Sequence, residues 1–532
     1  MVNYKQLVKI DVRKIESLQF EASFSYKLSK QEENIGVIEP KNYRVQTFIV
    51  LPSQFQASPK HYGVDNFYRD LKSYFSFQFP KLSFKELMGQ NVETDVSPLN
   101  RIEEYLSNFM NTHLSPDERN HIFQEAKLWS CSVFYFTDRK VNKLRKLLDN
   151  QKEIIDVEAS NDLIEENINR VVAILRRWTE TKNKILVYAA ESVFDVAQID
   201  EYIASVLREF VLKQLDILWT SEHNPYFNRS CKRLSAQLRL LRWYTKKNGY
   251  LWVDDYSSLD EKQEFSYRRS ALKRSIWSAL YIETRSKSLF KLRRQTGAMV
   301  AAGFAGSWYI FAEILIWRSN TDFRSLGASG FIIMTALVLA YILKDRIKEL
   351  GKDQFRKGLF GQVPDNNSHL LYNLGETFKK PVDVGTYSEK TSYSDSKNLP
   401  DDIRRRLAQT LDLTENHVHV ICYEKTISLR KKKIRRLNLK IKGLYDFFRL
   451  NLASLMFYAE ESDDMCRIPT HDLKVAWASL PKIYKVDLVL KVSGESKPSM
   501  DPHFHHYQML VSRQGIHSIN PIDLEGDVDL LD

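Results

Sequence analysis

Two apolar runs placed back to back constrain this chain more than any other feature. The first is Ala298 to Trp317 and the second is Leu326 to Leu343. A hydrocarbon core ~30 Å thick takes about 20 apolar residues rising about 1.5 Å each. The first run has that length, whereas the second is marginal because Leu326 to Gly330 is only weakly apolar. A buried core helix would explain one such run. Two in succession, with basic residues outside both, predict a transmembrane helical hairpin over 296–343, with helices at 298–317 and 326–343.

The flanks set the expected orientation. Arg285, Lys287, Lys291, Arg293 and Arg294 precede the first run, and Lys344, Arg346 and Lys348 follow the second, whereas the loop between them offers Arg318 and Arg324. The positive-inside rule then predicts a multi-pass protein of the plasma (inner) membrane with both termini cytoplasmic. The chain carries a net charge of +11. Residues 268–294 hold nine Lys/Arg against one Glu, and residues 344–357 hold six against three acids, so the two flanks account for the whole excess. Anionic lipid headgroups, attracting such residues by ~1 kcal/mol each, are therefore the expected partner, in preference to nucleic acid.

Inside the runs, Ala298, Ala302 and Gly306 form a small-residue ladder, and Ala336 with Ala340 offers a matching notch. Notches of this kind let helix backbones approach closely, either within the hairpin or in a homo-oligomer. Glu313 is the one carboxylate in either run. It lies about 6 Å along the helix from Trp317. It is expected either to reach the outer interface and Arg318, or to mark a permeation path or oligomer contact.

A mean hydropathy of -0.39 predicts that most of the chain is water-soluble, and 532 residues suffice for several domains. The start, Met-Val-Asn-Tyr-Lys-Gln, is not expected to be a signal peptide, since no apolar segment follows it. Four dispersed cysteines without C-x-x-C spacing argue against a disulfide framework or zinc site.

Alternation at Leu18, Phe20, Ala22, Phe24 and Tyr26, and a second run at 43–51, predict strands of a small α+β domain over 1–90. Residues 97–250 are expected to form a helical bundle from apolar stripes at three- and four-residue spacing, with a helix start at Ser115-Pro-Asp-Glu. A basic helix over 265–295 is expected to lie on the membrane or to pack as a stalk on the bundle, with a shorter juxtamembrane helix at 344–359. Residues 360–400 read as a polar linker, 401–522 as a cytoplasmic, mainly antiparallel α+β domain, and 523–532 as an acidic tail. The fold class predicted is thus an α+β membrane protein with a two-helix hairpin between two soluble regions.

No catalytic, cofactor-binding or metal-ligating residue is assigned. The chain holds no G-x-x-x-x-G-K-[ST], H-E-x-x-H or G-x-S-x-G sequence. His503, His505 and His506 lack companions for closed metal geometry and read as a loop of solvated histidines. The run Arg430 to Arg436 reads as a solvated hairpin turn, with anionic lipid as its next candidate. No enzyme and no cofactor are expected. The functional expectation is a membrane-anchored binding, scaffold or sensor protein with a lipid-facing hairpin and an unidentified protein or ligand partner. The alternative is an oligomeric channel or membrane-perturbing effector gated by its cytoplasmic domains.

Overall fold

The structure, a computed structural model, describes residues 8–28, 42–90, 97–107, 114–148, 157–220, 224–288, 299, 302–311, 314, 335, 338–339, 341–346, 364–373, 381–395, 398–408, 418–437, 439–459, 463–472, 474–495 and 502–522. Strands β1 (Val8–Glu16), β2 (Gln19–Lys27), β3 (Asn42–Pro52) and β4 (Leu71–Phe77) open the chain, with the short helix α1 (Val64–Asp70) before β4 and α2 (Phe84–Leu87) after it. Six helices follow: α3 (Pro98–Ser107), α4 (Pro116–Leu147), α5 (Val157–Tyr188), α6 (Val193–Thr220), α7 (Asn228–Lys247) and α8 (Leu259–Trp277). The chain then returns to strands: β5 (Tyr281–Ser288), β6 (Asn366–Tyr372), β7 (Val382–Asp395), β8 (Val418–Leu429) and β9 (Gly443–Asn451). After β9 come β10 (Asp463–Pro469), β11 (Val475–Pro481), β12 (Tyr484–Glu495), β13 (His503–Ser512) and β14 (Gly515–Pro521).

All of these strands except the separate β10–β11 ribbon join one antiparallel sheet in the order β1-β2-β9-β4-β5-β6-β7-β8-β3-β12-β13-β14. The sheet curls until its edges nearly meet. Ile516 N–H donates to Ser17 O at 2.6 Å, and Lys14 Nζ donates to Ile516 O at 2.5 Å. Gly515 sits at this seam with φ +147°, and a Cβ there would stand 2.7 Å from Ser17 O. Only glycine fits both the backbone and the gap. Curling removes the unpaired edges of a long sheet.

Alternation along each strand sends one face inward. Phe20, Ala22, Phe24 and Tyr26 of β2 are buried with Leu444 and Phe448 of β9 and Phe75 and Phe77 of β4. The interior also holds a charge pair: Lys425 Nζ of β8 donates to Asp446 Oδ1 of β9 and to Ser73 Oγ of β4, each at 2.6 Å. In the sheet order β8 and β9 are separated by four strands, so this pair ties opposite walls together. The outer face is covered locally. The short helix Asp401–Leu407 seals Phe48, Val50, Val420 and Val489.

The two insertions leave from opposite ends of the barrel. The bundle α3–α8 connects the end of β4 to the start of β5, and residues 289–365 connect the end of β5 to the start of β6. Strand β5 pairs with β4 only through Tyr281 and Ile282, and with β6 over Glu283 to Ser288.

Several expectations are corrected. Separate N- and C-terminal domains flanking a membrane hairpin do not form: β2 pairs with β9 and β3 with β8 and β12, so both halves build one sheet. Alternation marks a strand but carries no signal for a partner some 400 residues away. The expected linker at 360–400 contains β6 and β7. Its inward face is Tyr387, Glu389 and Thr391, buried yet polar in composition. The expected 265–295 helix ends at Trp277, and Arg285 and Lys287 lie in β5.

The membrane assignment is overturned as well. Among the described residues, no helix is long and apolar enough to cross a membrane. The multi-pass, inner-membrane reading therefore falls, and the runs are an insertion between two barrel strands.

Outside the barrel, Glu21 is fully buried and accepts from Arg13 Nη2 at 2.8 Å, Arg449 Nη2 at 2.8 Å and Tyr74 OH at 2.9 Å. Desolvation raises its pKa, but the Arg13, Arg449 and Tyr74 hydrogen bonds outweigh it and hold the carboxyl below its ordinary value. A depressed acid contributes stability above its unfolded pKa and loses it as pH falls through the folded one. Stability is accordingly expected to drop in the acid range below the ordinary glutamate value. Glu21→Gln should flatten that limb while costing about 1–3 kcal/mol at pH 7, read by urea unfolding across pH. An unchanged acid limb would contradict this role.

Candidate binding groove

Helices α4 and α8 each begin on a capping box. Ser115 Oγ accepts from Glu118 N–H at 3.4 Å and Ser258 Oγ from Glu261 N–H at 3.2 Å, with the glutamates bonding back to the cap N–H groups. Apolar stripes then pack α4 against α6 and both against α8, where Leu272 and Ile276 are buried and most of the outer face is exposed. Polar clamps fix α8 on α6. Arg268 makes a bidentate pair with Glu201 at 2.7 and 2.8 Å, and the Trp277 indole N–H donates to Tyr202 OH at 2.8 Å.

Between these three helices lies a groove with a volume of about 100 Å³. Phe134 and Val141 of α4 and Val206 and Phe210 of α6 form its floor, and Leu272 and Trp277 of α8 form a wall. Trp277 is held in place by Phe79 and Phe134, at ring-centroid distances of 5.0 and 5.4 Å. The rim is charged. Lys213 faces Asp138 at 3.5 Å and Arg269 faces Glu209 at 3.2 Å, so these cations are balanced.

Lys273 differs from its rim neighbours. Its Nζ stands 4.1 Å from the centroid of the Trp277 ring and forms no ion pair among the described residues. Partial desolvation, then the charges of Arg269 and Arg13, push its pKa down. An apolar trough thus ends at an exposed ammonium on a rim of mixed charge, with the paired Asp138 and Glu209 carboxylates on the same rim. Such a site takes a small molecule or side chain with an apolar body and an anionic end.

Two buried acids elsewhere have protein partners. Asp200, fully buried in α6, accepts four hydrogen bonds, and His506 Nε2 lies 2.8 Å from Asp487 Oδ1 beneath the outer face of the sheet. His506 is therefore not in a solvated loop: β13 is paired on both sides, which buries it. Among the described residues, no three His, Cys, Asp or Glu side chains are grouped to hold a metal ion.

Among the described residues, none of those singled out around the apolar runs lines the groove. Arg285 is exposed on β5 and its Nε donates to Glu283 at 2.9 Å. Lys287 lies opposite Asn367 in the β5–β6 ladder. Lys344 Nζ stands 4.2 Å from the Tyr341 ring and 5.5 Å from the Tyr309 ring, between one ring of each run. Arg346 and Ala302 are exposed, and Gly306 has open space around its Cα. Lys291, Arg293, Arg294, Ala298, Glu313, Ala336, Ala340 and Lys348 lie outside the described residues. The sequence signal that pointed toward the groove was the stripe Leu272, Ile276 and Leu280 beside Arg269 and Lys273, read there as a membrane or stalk helix. Comparisons with protein-family models, with curated proteins and with solved structures found no match for this chain.

Proposed function

We propose that the chain is a ligand-binding or sensor protein rather than an enzyme, and that its ligand is a small amphiphile seated in the α4–α6–α8 groove. The observation that carries this reading is Lys273, an ammonium without a carboxylate partner among the described residues, at the mouth of an apolar trough. A carboxylate or phosphate end would neutralise it, while the tail displaces water from Phe134, Val206 and Leu272. A cavity of ~150 Å³ admits benzene, so a groove of about 100 Å³ suits a tail of about four or five carbons.

Isothermal titration with pentanoate tests the reading. Binding is expected in the millimolar range, and pentanol, which has no charge, should bind more weakly. Lys273→Gln is expected to weaken pentanoate about fivefold, the effect of one partly exposed ion pair near 1 kcal/mol. Val206→Trp, which fills the trough, should abolish binding. No heat with pentanoate, or equal binding by both variants, would overturn the assignment.

A further inference from the structure

We infer that the bundle end of the barrel is a docking surface for the phosphate backbone of a nucleic acid, bound without regard to sequence. Residues 430–442 carry eight Lys/Arg and no acid. They form the short helix Lys431–Arg436 and the approach to β9, and the burial of Ile434 and Leu439 anchors the segment while its cations face solvent. Lys432, Lys433, Arg436 and Lys442 are exposed and form no ion pair among the described residues. Within this stretch Arg430 pairs with Asp383 at 2.7 Å and Lys440 with Glu86 at 2.5 Å.

Tertiary contacts extend the patch beyond its own segment. Leu28 N–H donates to Lys442 O at 2.7 Å and Lys81 N–H to Lys440 O at 3.4 Å, which sets exposed Lys27 and half-buried Lys81 beside it. Lys81 Nζ stands 5.5 Å from the Tyr135 ring of α4. Helix α2, bonded to Lys440 through Glu86, offers Phe84 to the Arg170 guanidinium at 4.9 Å. The surface thereby runs from the barrel mouth onto the bundle, where Arg139, Lys140 and Lys143 continue it, interrupted by Glu166 beside Lys140 and Arg170. Burial first, and then the nearby charges of Arg170, Lys143 and Arg139, lower the Lys140 pKa to about 8.

Two observations favour a nucleic acid over a lipid surface. A membrane-binding face pairs cations with apolar side chains that insert. Here residues 430–442 expose no large apolar side chain among the described residues. The exposed Phe304, Phe311, Ile314 and Trp477 belong to connections that leave the opposite end of the barrel, and Trp219, Leu240 and Trp243 belong to α6 and α7 of the bundle. The cations also come from several elements along a ridge, as backbone contacts to a duplex require. Stacking aromatics are not interleaved with 430–442, so base-dependent binding is not expected.

Fluorescence anisotropy with a labelled 20-base-pair duplex, using the full chain, tests the inference. Binding at 50 mM NaCl should weaken steeply by 200 mM and be indifferent to sequence. The reversal K432E/K433E/K442E is expected to weaken binding at least tenfold and to lower the salt slope by roughly 2 to 3, since each phosphate contact contributes about 0.9. K246E/K247E on α7 should change nothing. If the reversal unfolds the protein, K432Q/K433Q replaces it, with a smaller loss in the same direction. No duplex binding at 50 mM NaCl, affinity unaltered in the variants, or preference for phosphatidylserine vesicles over duplex at equal phosphate would each overturn the inference. Pentanoate binding in the groove is independent of all these outcomes.

Discussion

Asp200→Ala is expected to destabilise the protein by about 3–5 kcal/mol, the cost of breaking a buried charge pair on one side. The fully buried Asp200 carboxylate accepts from Trp178 Nε1 at 2.9 Å and Tyr244 OH at 2.6 Å on one oxygen, and from Lys182 Nζ at 2.9 Å and Tyr250 OH at 2.8 Å on the other. It therefore joins α5, α6, α7 and the segment after α7 at one point. Truncation leaves a lysine charge and three donors without their acceptor in the bundle interior. Trp178 also stacks on Trp129 of α4, with centroids 5.8 Å apart and planes 17° from parallel, so the loss reaches the fourth helix. For a unit the size of this bundle, the loss corresponds to a fall in Tm of roughly 6–20 °C. Lys182→Met added to Asp200→Ala should restore part of it by removing the stranded charge. Urea unfolding measures both variants. A loss under about 1 kcal/mol for Asp200→Ala would mean that water reaches the site and that the four bonds do not hold the bundle.

The second large effect belongs to the barrel interior. Lys425→Met is expected to cost about 3–5 kcal/mol, because Asp446 remains buried without its ammonium. Lys425 is 2 % exposed and Asp446 1 %, and the ammonium also lies 4.2 Å from the Phe75 ring. The double variant Lys425→Met/Asp446→Leu should recover most of the loss, since apolar groups of similar size satisfy a dry interior as well as an ion pair does. Burial raises the Asp446 pKa above its ordinary value and the Lys425 charge only partly opposes that shift. A raised acid contributes stability below its unfolded pKa and loses it as pH rises through the folded one. Asp446 therefore does not drive acid unfolding, and the acid limb is left to groups such as Glu21. A double variant no better than Lys425→Met alone would show that the pair specifies the wall-to-wall packing rather than only neutralising itself.

Local elements were legible because their causes are local. The start of α4 follows from Ser115, Pro116 and Glu118, three neighbours whose hydrogen bonds close within one turn. Strand β2 follows from alternation within nine residues. Strand β7 is not legible in the sequence because Tyr387, Glu389 and Thr391 make a buried face that reads as polar until Lys425, Tyr423 and Asp365 stand beside it. Charge was misplaced for a related reason. Counting along the chain assigned the whole excess to the flanks of the apolar runs. In three dimensions Arg268 and Arg269 are met by Glu201 and Glu209 of α6, whereas 430–442 keeps most of its charge facing solvent.

Residue order by itself determined where helices start, which stretches alternate, how long the apolar runs are and where a basic run lies, because caps and periodicity act over a few neighbours. Tertiary structure alone decided that strands from both halves close one barrel, that the apolar runs are an insertion between β5 and β6, and that α8 walls a groove with Lys273 at its mouth. Pairing, burial and charge balance depend on groups hundreds of residues apart. Their energies appear only when the chain brings Lys425 to Asp446 or Glu201 to Arg268.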